Sequence, residues 1–298
     1  MTIAIPAIDK AYHRLGWPTL FILMWSSGYV AGKLALPFSG PYTLIFMRFS
    51  SAALILLLVA LFMRAAWSKS PAIYMHLCVV GVLVQALQFS GLYAGLSLGV
   101  SAGVSALIVG MMPILTAIGA VVLLDENVTK KQVVGLFVGL FGVVVVVLDK
   151  IGLGHAQWAG YLAVLLALCG ISAGAIYQKK YVTHVDLRAA GCIQLAVASI
   201  VVAPLAYIYE RFEVNFNLTV LLATGWLSLV NSIGAVSVLF LMMRRGEASK
   251  VASLFYLIPS TTAVMGYLVL GERLNILQFS GFMMSAAGVY LTTQSSVR

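Results

Sequence analysis

Leu270 to Gly288 reads LGERLNILQFSGFMMSAAG, and Leu124 to Gly142 reads LDENVTKKQVVGLFVGLFG. In both stretches an acidic corner separates two apolar runs, and glycines recur along the second run. Glu126 and Glu272, Gln132 and Gln278, Gly135 and Gly281, and Gly142 and Gly288 are each 146 positions apart. The same offset pairs Pro113 with Pro259, Lys33 with Lys179, Gly28 with Gly174 and Ser26 with Ser172. A repeat at half the chain length means two copies of one folding unit, residues 1–148 and 149–298.

Composition identifies the solvent. Of the 298 residues 62% are hydrophobic and only 9% charged, where an ordinary soluble domain carries about 25% charged residues. That leaves too little polar surface to cover a soluble body, so lipid must contact much of the chain. A helix crossing a bilayer core of roughly 30 Å needs about 20 apolar residues. The apolar runs have that length and lack the ten-residue alternation of outer-membrane barrel strands. They predict spans at 15–35, 41–63, 71–97, 101–124, 130–148, 157–180, 187–209, 218–243, 248–270 and 276–294. Five spans per copy is an odd number, so the second copy enters the membrane from the opposite side. The expected fold is an all-α membrane protein: ten transmembrane helices as two inverted five-helix repeats around a central cavity.

The net charge of +9 is a topology signal and not a nucleic-acid footprint. Arg48 lies within a span, and Lys33, Lys150, Arg211 and Arg273 fall on one set of alternate connections. All the remaining lysines and arginines fall on the other set, which the positive-inside rule places in the cytoplasm. Both termini are therefore expected in the cytoplasm, with the chain in a bacterial inner membrane. The first span is longer than the apolar core of a secretion signal and lacks a small-residue cleavage site, so it reads as a retained helix. Cys78, Cys169 and Cys192 lie inside spans with no disulfide or metal spacing, and no metal or other cofactor is implied.

Each acidic corner is read structurally. Glu126 and Glu272 end the fourth helix of their copies, and Thr129-x-x-Gln132 and Asn275-x-x-Gln278 are helix-start signals. A carboxylate beside a helix start favours its dipole by about 0.3–1 kcal/mol. Gly135, Gly139 and Gly142, with their counterparts Gly281, Ser285 and Gly288, form small-residue seams suited to close helix contact. Pro113 and Pro259, near the middles of their spans, free the carbonyls of Val109 and Phe255 and mark candidate kinks or gating points. In inverted-repeat carriers a symmetric pair of such midplane breaks points to the binding site.

The run WSSGYVAGK (Trp25–Lys33), then Pro41, Arg48-Phe49, Pro113 and Glu126, and the copies Pro259, Glu272, Gly281 and Gly288 resemble the drug/metabolite transporter superfamily. The likeness is to its EamA-type ten-helix exporters and covers essentially the whole chain. It implies two inverted five-helix halves around a cavity and export of amino acids or related metabolites.

Several residues are candidates for lining that cavity. Trp25, Tyr29 and Lys33 share a helix face at i, i+4, i+8. Gln85, Gln88 and Phe89 share another, with Tyr93 a turn beyond, and Asn231 is the repeat counterpart of Gln85. Tyr177, Phe255 and Tyr256 add aromatic surface. For Gln85 and Asn231 an interhelical hydrogen bond is an equal reading. Arg48 either binds a substrate carboxylate or meets its burial cost by snorkelling or through backbone carbonyls, and the resemblance favours a structural role.

No acidic residue falls at a midplane position, which weighs against a carboxylate-driven drug pump or an organic-cation carrier. The partners expected are therefore a small-molecule solute and the lipid bilayer, and ten helices suffice to enclose a cavity within a monomer. The leading expectation is an amino-acid exporter favouring aromatic or apolar side chains and working by alternating access. The alternatives are a nucleotide-sugar or other phosphorylated-metabolite exchanger and a lipid flippase or scramblase. An enzyme ranks last, because no H-E-x-x-H motif is present and no aspartate pair lies within a span.

Overall fold

The computed structural model describes residues 6–124, 130–152, 158–182, 185–244, 254–255, 257–273 and 275–294. Glu126, Thr129 and Tyr256, named above, lie outside the described residues. Among the described residues the regular structure is helical, apart from one isolated bridge between Ser39 and Val214.

In chain order the helices are α1 (Pro6–Ala35), α2 (Pro41–Phe62), α3 (Pro71–Ser97), α4 (Ala102–Val109), α5 (Met112–Leu124) and α6 (Lys130–Gly152). They are followed by α7 (Trp158–Tyr181), α8 (Leu187–Glu210), α9, α10 (Leu257–Leu270) and α11 (Ile276–Gln294). Helix α9 runs from Leu218–Trp226 through Leu227–Ala235 to Val236–Arg244. Pro41 and Leu187 open α2 and α8, and Lys130 and Ile276 open α6 and α11, each pair at the sequence offset. Five helices are long and apolar enough to cross a membrane: α2, α3, α7, α8 and the Leu218–Leu239 part of α9. Shorter apolar helical stretches are Ala102–Thr116, Val133–Val146 and Leu257–Leu270.

The offset extends to irregular backbone. Helix α3 widens into a π-helical segment at Gly81–Leu87, and α9 does so at Leu227–Ala235. The helix carrying Pro113 breaks at Gly110–Met111, so the proline opens α5 in its first turn, where a missing N–H costs least. On the other side of the repeat, the carbonyl of Phe255 accepts from the Ile258 N–H at 3.4 Å, just as α10 begins.

Counterpart helices pack on one another: α2 on α8, and α6 on α11. The second contact joins the two small-residue seams. A Cβ on Gly142 would lie 2.6 Å from the Gly281 carbonyl, and one on Gly288 would overlap the Gly139 backbone. Ser285 donates its hydroxyl to the Gly139 carbonyl at 3.0 Å. Lipid removes most of the hydrophobic drive between helices, so close backbone approach and hydrogen bonds of this kind carry association. Asn275 caps α11 as its sequence predicts. The Gln278 N–H donates to Asn275 Oδ1 at 2.8 Å, and the Asn275 N–H reaches Gln278 Oε1 at 3.4 Å.

Large apolar side chains point outward on many helices, among them Phe137, Phe141, Ile200, Leu222, Leu268 and Phe279. In water such a surface would aggregate, but in a bilayer it is the lipid contact. Inside, Phe21, Leu44, Ile45, Phe49 and Tyr93 are fully buried around α1, α2 and α3.

Candidate functional site

A two-lobed chamber lies among α1, α3, α7 and the segments that pack on them. One lobe, about 220 Å³, is lined by Ala106, Val109, Met112, Pro113, Thr116, Phe255 and Ile258. The other, about 90 Å³, is lined by Arg48, Val84, Gln85, Phe89, Leu92, Tyr93, Asn231, Ser232 and Val236. Trp25, Tyr29, Gln88 and Ile171 line both and form the joint between them.

The π-helical segments explain how polar groups reach the smaller lobe. A π turn adds a residue per turn and displaces the side chains that follow, which is why such turns recur at functional sites. Gln85 lies in the first π segment with Gln88 just after it, and Asn231 and Ser232 lie in the second. The Asn231 amide donates to the Met24 carbonyl at 2.6 Å, which fixes its orientation. Gly28 makes this possible, since a Cβ there would lie 2.5 Å from Asn231 Nδ2. Gly32, one turn on, leaves room for the Tyr93 ring against α1.

Arg48 is only 4% exposed and turns inward from α2. Its Nε donates to Ser232 Oγ at 2.9 Å and its Nη1 to Tyr93 Oη at 2.8 Å. Its guanidinium carbon sits 4.2 Å from the centre of the Phe89 ring, a cation–π contact. These bonds go to side chains and not to backbone carbonyls. Among the described residues no carboxylate pairs with it. Tyr29, Gln85 and Gln88 also have no hydrogen-bond partner among the described residues, so their polar groups are free for a solute. Phe255 packs edge to face on Phe21 at 5.4 Å and on Trp25 at 5.6 Å, and Trp25 and Phe255 wall the apolar lobe.

Three other sequence candidates lie away from the chamber lining. Lys33 donates to the Val100 carbonyl at 3.1 Å and pairs with Glu272 at 2.7 Å. Glu272 Oε1 also accepts from the Ala102 N–H at 2.8 Å, so the dipole it serves is that of α4 and not that of α11. Gly271, at φ +68, provides the left-handed turn after α10 from which Glu272 folds back. Tyr177 Oη hydrogen-bonds His76 Nδ1 at 2.8 Å, beside Tyr181. Pro259 is not in the lining of either lobe but lines a small cavity with Phe282 and Ser285, which shares Gly110 and Phe255 with the larger lobe. Ser232, Ile171, Val84 and Met112 were not anticipated. Ser232 adjoins a named residue, whereas the apolar three look like any lipid-facing side chain in the sequence.

The EamA-like transporter family model matches this chain twice, at residues 17–148 and 158–294. The chain belongs to the EamA-like transporter family. A Bacillus subtilis (strain 168) relative, described as the uncharacterized transporter YvbV, is 27% identical over 92% of this chain and 90% of its own. A relative from Escherichia coli (strain K12), described as a probable amino-acid metabolite efflux pump, is 25% identical over 91% of this chain and 92% of its own. One solved crystal structure aligns at a TM-score of 0.68, covering 94% of this chain and 96% of that one. At 16% identity that likeness concerns the fold alone. As an EamA-like family member, this chain is an integral membrane protein that handles a small solute.

Proposed function

We propose that the protein exports small metabolites across a bacterial inner membrane, amino acids with aromatic or apolar side chains foremost. In this reading ten helices form two inverted five-helix repeats, residues 1–148 and 149–298, with both termini in the cytoplasm. The repeats rock to open the chamber alternately to each side. The observation that carries the reading is the chamber itself: apolar walls of Trp25, Phe255, Met112 and Ile258, with polar groups at Gln85, Gln88 and Tyr29 that have no hydrogen-bond partner among the described residues. The printed description of the Escherichia coli relative supports the amino-acid class. A phosphorylated-metabolite exchanger is less well supported. Arg48 is the only lysine or arginine among the described lining residues, because Lys33 is engaged by Glu272.

The test is efflux from proteoliposomes loaded with labelled phenylalanine or leucine, with and without a pH gradient. Release in excess of protein-free vesicles is expected. If no amino acid moves under either condition, the substrate assignment is wrong. A rate that follows the gradient assigns proton coupling, and an indifferent rate assigns downhill transport.

A further inference from the structure

We infer that Arg48 is the anchor for the substrate's carboxylate, and that the chamber selects an anionic head with an apolar tail while treating the α-ammonium as dispensable. This rests on the export reading above and adds to it which end of the solute is recognised. Three observations combine.

The first is charge. Arg48 is buried, cationic and without a carboxylate partner among the described residues. Holding such a charge in a membrane is expensive unless an anion or water meets it, so an anionic ligand gains where a neutral one does not. The second is geometry. Ser232, Tyr93 and Phe89 hold the guanidinium by Nε, Nη1 and one face. Nη2 has no protein partner among the described residues, and Arg48 lines the chamber. A guanidinium fixed in this way presents a remaining N–H edge to a carboxylate at about 2.7–2.9 Å. The third is asymmetry. The described lining contains no aspartate or glutamate, so an ammonium finds only neutral groups, such as the amides of Gln85, Gln88 and Asn231 and the hydroxyls of Tyr29 and Thr116. The larger lobe, walled by Trp25 and Phe255, lies across the Tyr29–Gln88 joint and accepts the apolar tail.

The experiment is a binding series on the purified wild-type protein in detergent, by calorimetry, which does not depend on transport. The probes are L-phenylalanine, 3-phenylpropionate, phenylalaninamide and 2-phenylethylamine. Phenylalanine and 3-phenylpropionate are expected to bind within about threefold of one another. The amide and the amine are expected to be at least tenfold weaker. Amine or amide binding as tight as that of the acids overturns the inference, as does no binding by either acid. A second arm uses Arg48→Lys and Arg48→Gln, with folding checked by size-exclusion profile. Arg48→Gln is expected to lose at least tenfold for both acids and nothing for the amide, and Arg48→Lys is expected to fall between. Undiminished acid binding in a folded Arg48→Gln also overturns the inference. Acid binding without any efflux in the proteoliposome assay refutes export while leaving the anchor standing. Efflux with no preference for the carboxylate does the reverse.

Discussion

At the residue scale, Gln85 and Asn231 lie 146 positions apart, each in a π-helical segment, but carry different burdens. Gln85 is half-buried, lines the chamber and has no protein partner among the described residues. Asn231 ties α9 to the Met24 carbonyl of α1 through an amide only 7% exposed, while its Oδ1 is buried without a partner. Gln85→Ala is therefore expected to lower solute efflux several-fold with an unchanged melting temperature. Asn231→Ala is expected to cost stability as well, about 1 kcal/mol for a hydrogen bond between membrane helices, read as a lower melting temperature in detergent. Equal melting temperatures for the two variants would contradict this division. The sequence named both residues, because an amide inside an apolar span stands out. It could not separate their roles, because both the Met24 contact and the gap at Gly28 are tertiary.

At the element scale, a close helix contact by α6 and by α11 was readable from spacing, and the partner of each was not. Glycines at Gly135, Gly139 and Gly142 announce a close contact, but only the structure shows that each seam's neighbour is its own repeat counterpart. Gly288→Val places branched carbons against the Gly139 backbone, which can move only if the helices part. Overpacking of this kind costs about 1–3 kcal/mol. The expected result is a lower yield of monodisperse protein and a lower melting temperature, with the conservative Gly288→Ala falling between. Wild-type behaviour of Gly288→Val would show that the seam is not in contact. The π-helical segments were not legible. Hydrophobic periodicity near 3.6 residues tolerates a single inserted residue, so nothing in GVLVQAL or LSLVNSIGA distinguishes a wide turn from an ordinary one. Those turns aim Gln85, Asn231 and Ser232, so the lining could be named only in part.

At the scale of the whole molecule, the 146-residue offset was the most legible feature, and the starts of α2 and α8, of α6 and α11 and of the two π-helical segments keep to it. Less legible was which charges serve the chamber and which serve its ends. Lys33 looked like a lining residue because it extends the face of Trp25 and Tyr29, yet it meets Glu272 beyond the chamber. If this end of the molecule opens during transport, fastening it must stop transport. In a background without Cys78, Cys169 and Cys192, Lys33→Cys with Glu272→Cys, bridged through two disulfides by a short bis-methanethiosulfonate, is expected to abolish efflux. Reductant is expected to restore it, whereas undiminished efflux by the bridged protein would show that this end stays shut. The same ion pair has a mechanical consequence. Glu272 grips the first N–H of α4, and the far end of α4 is Val109, in the wall of the larger lobe. Eight residues at about 1.5 Å each make a stiff rod of roughly 12 Å. On the proposed function, a solute that shifted Val109 would pull on the clasp, and breaking the clasp would loosen the wall of the larger lobe.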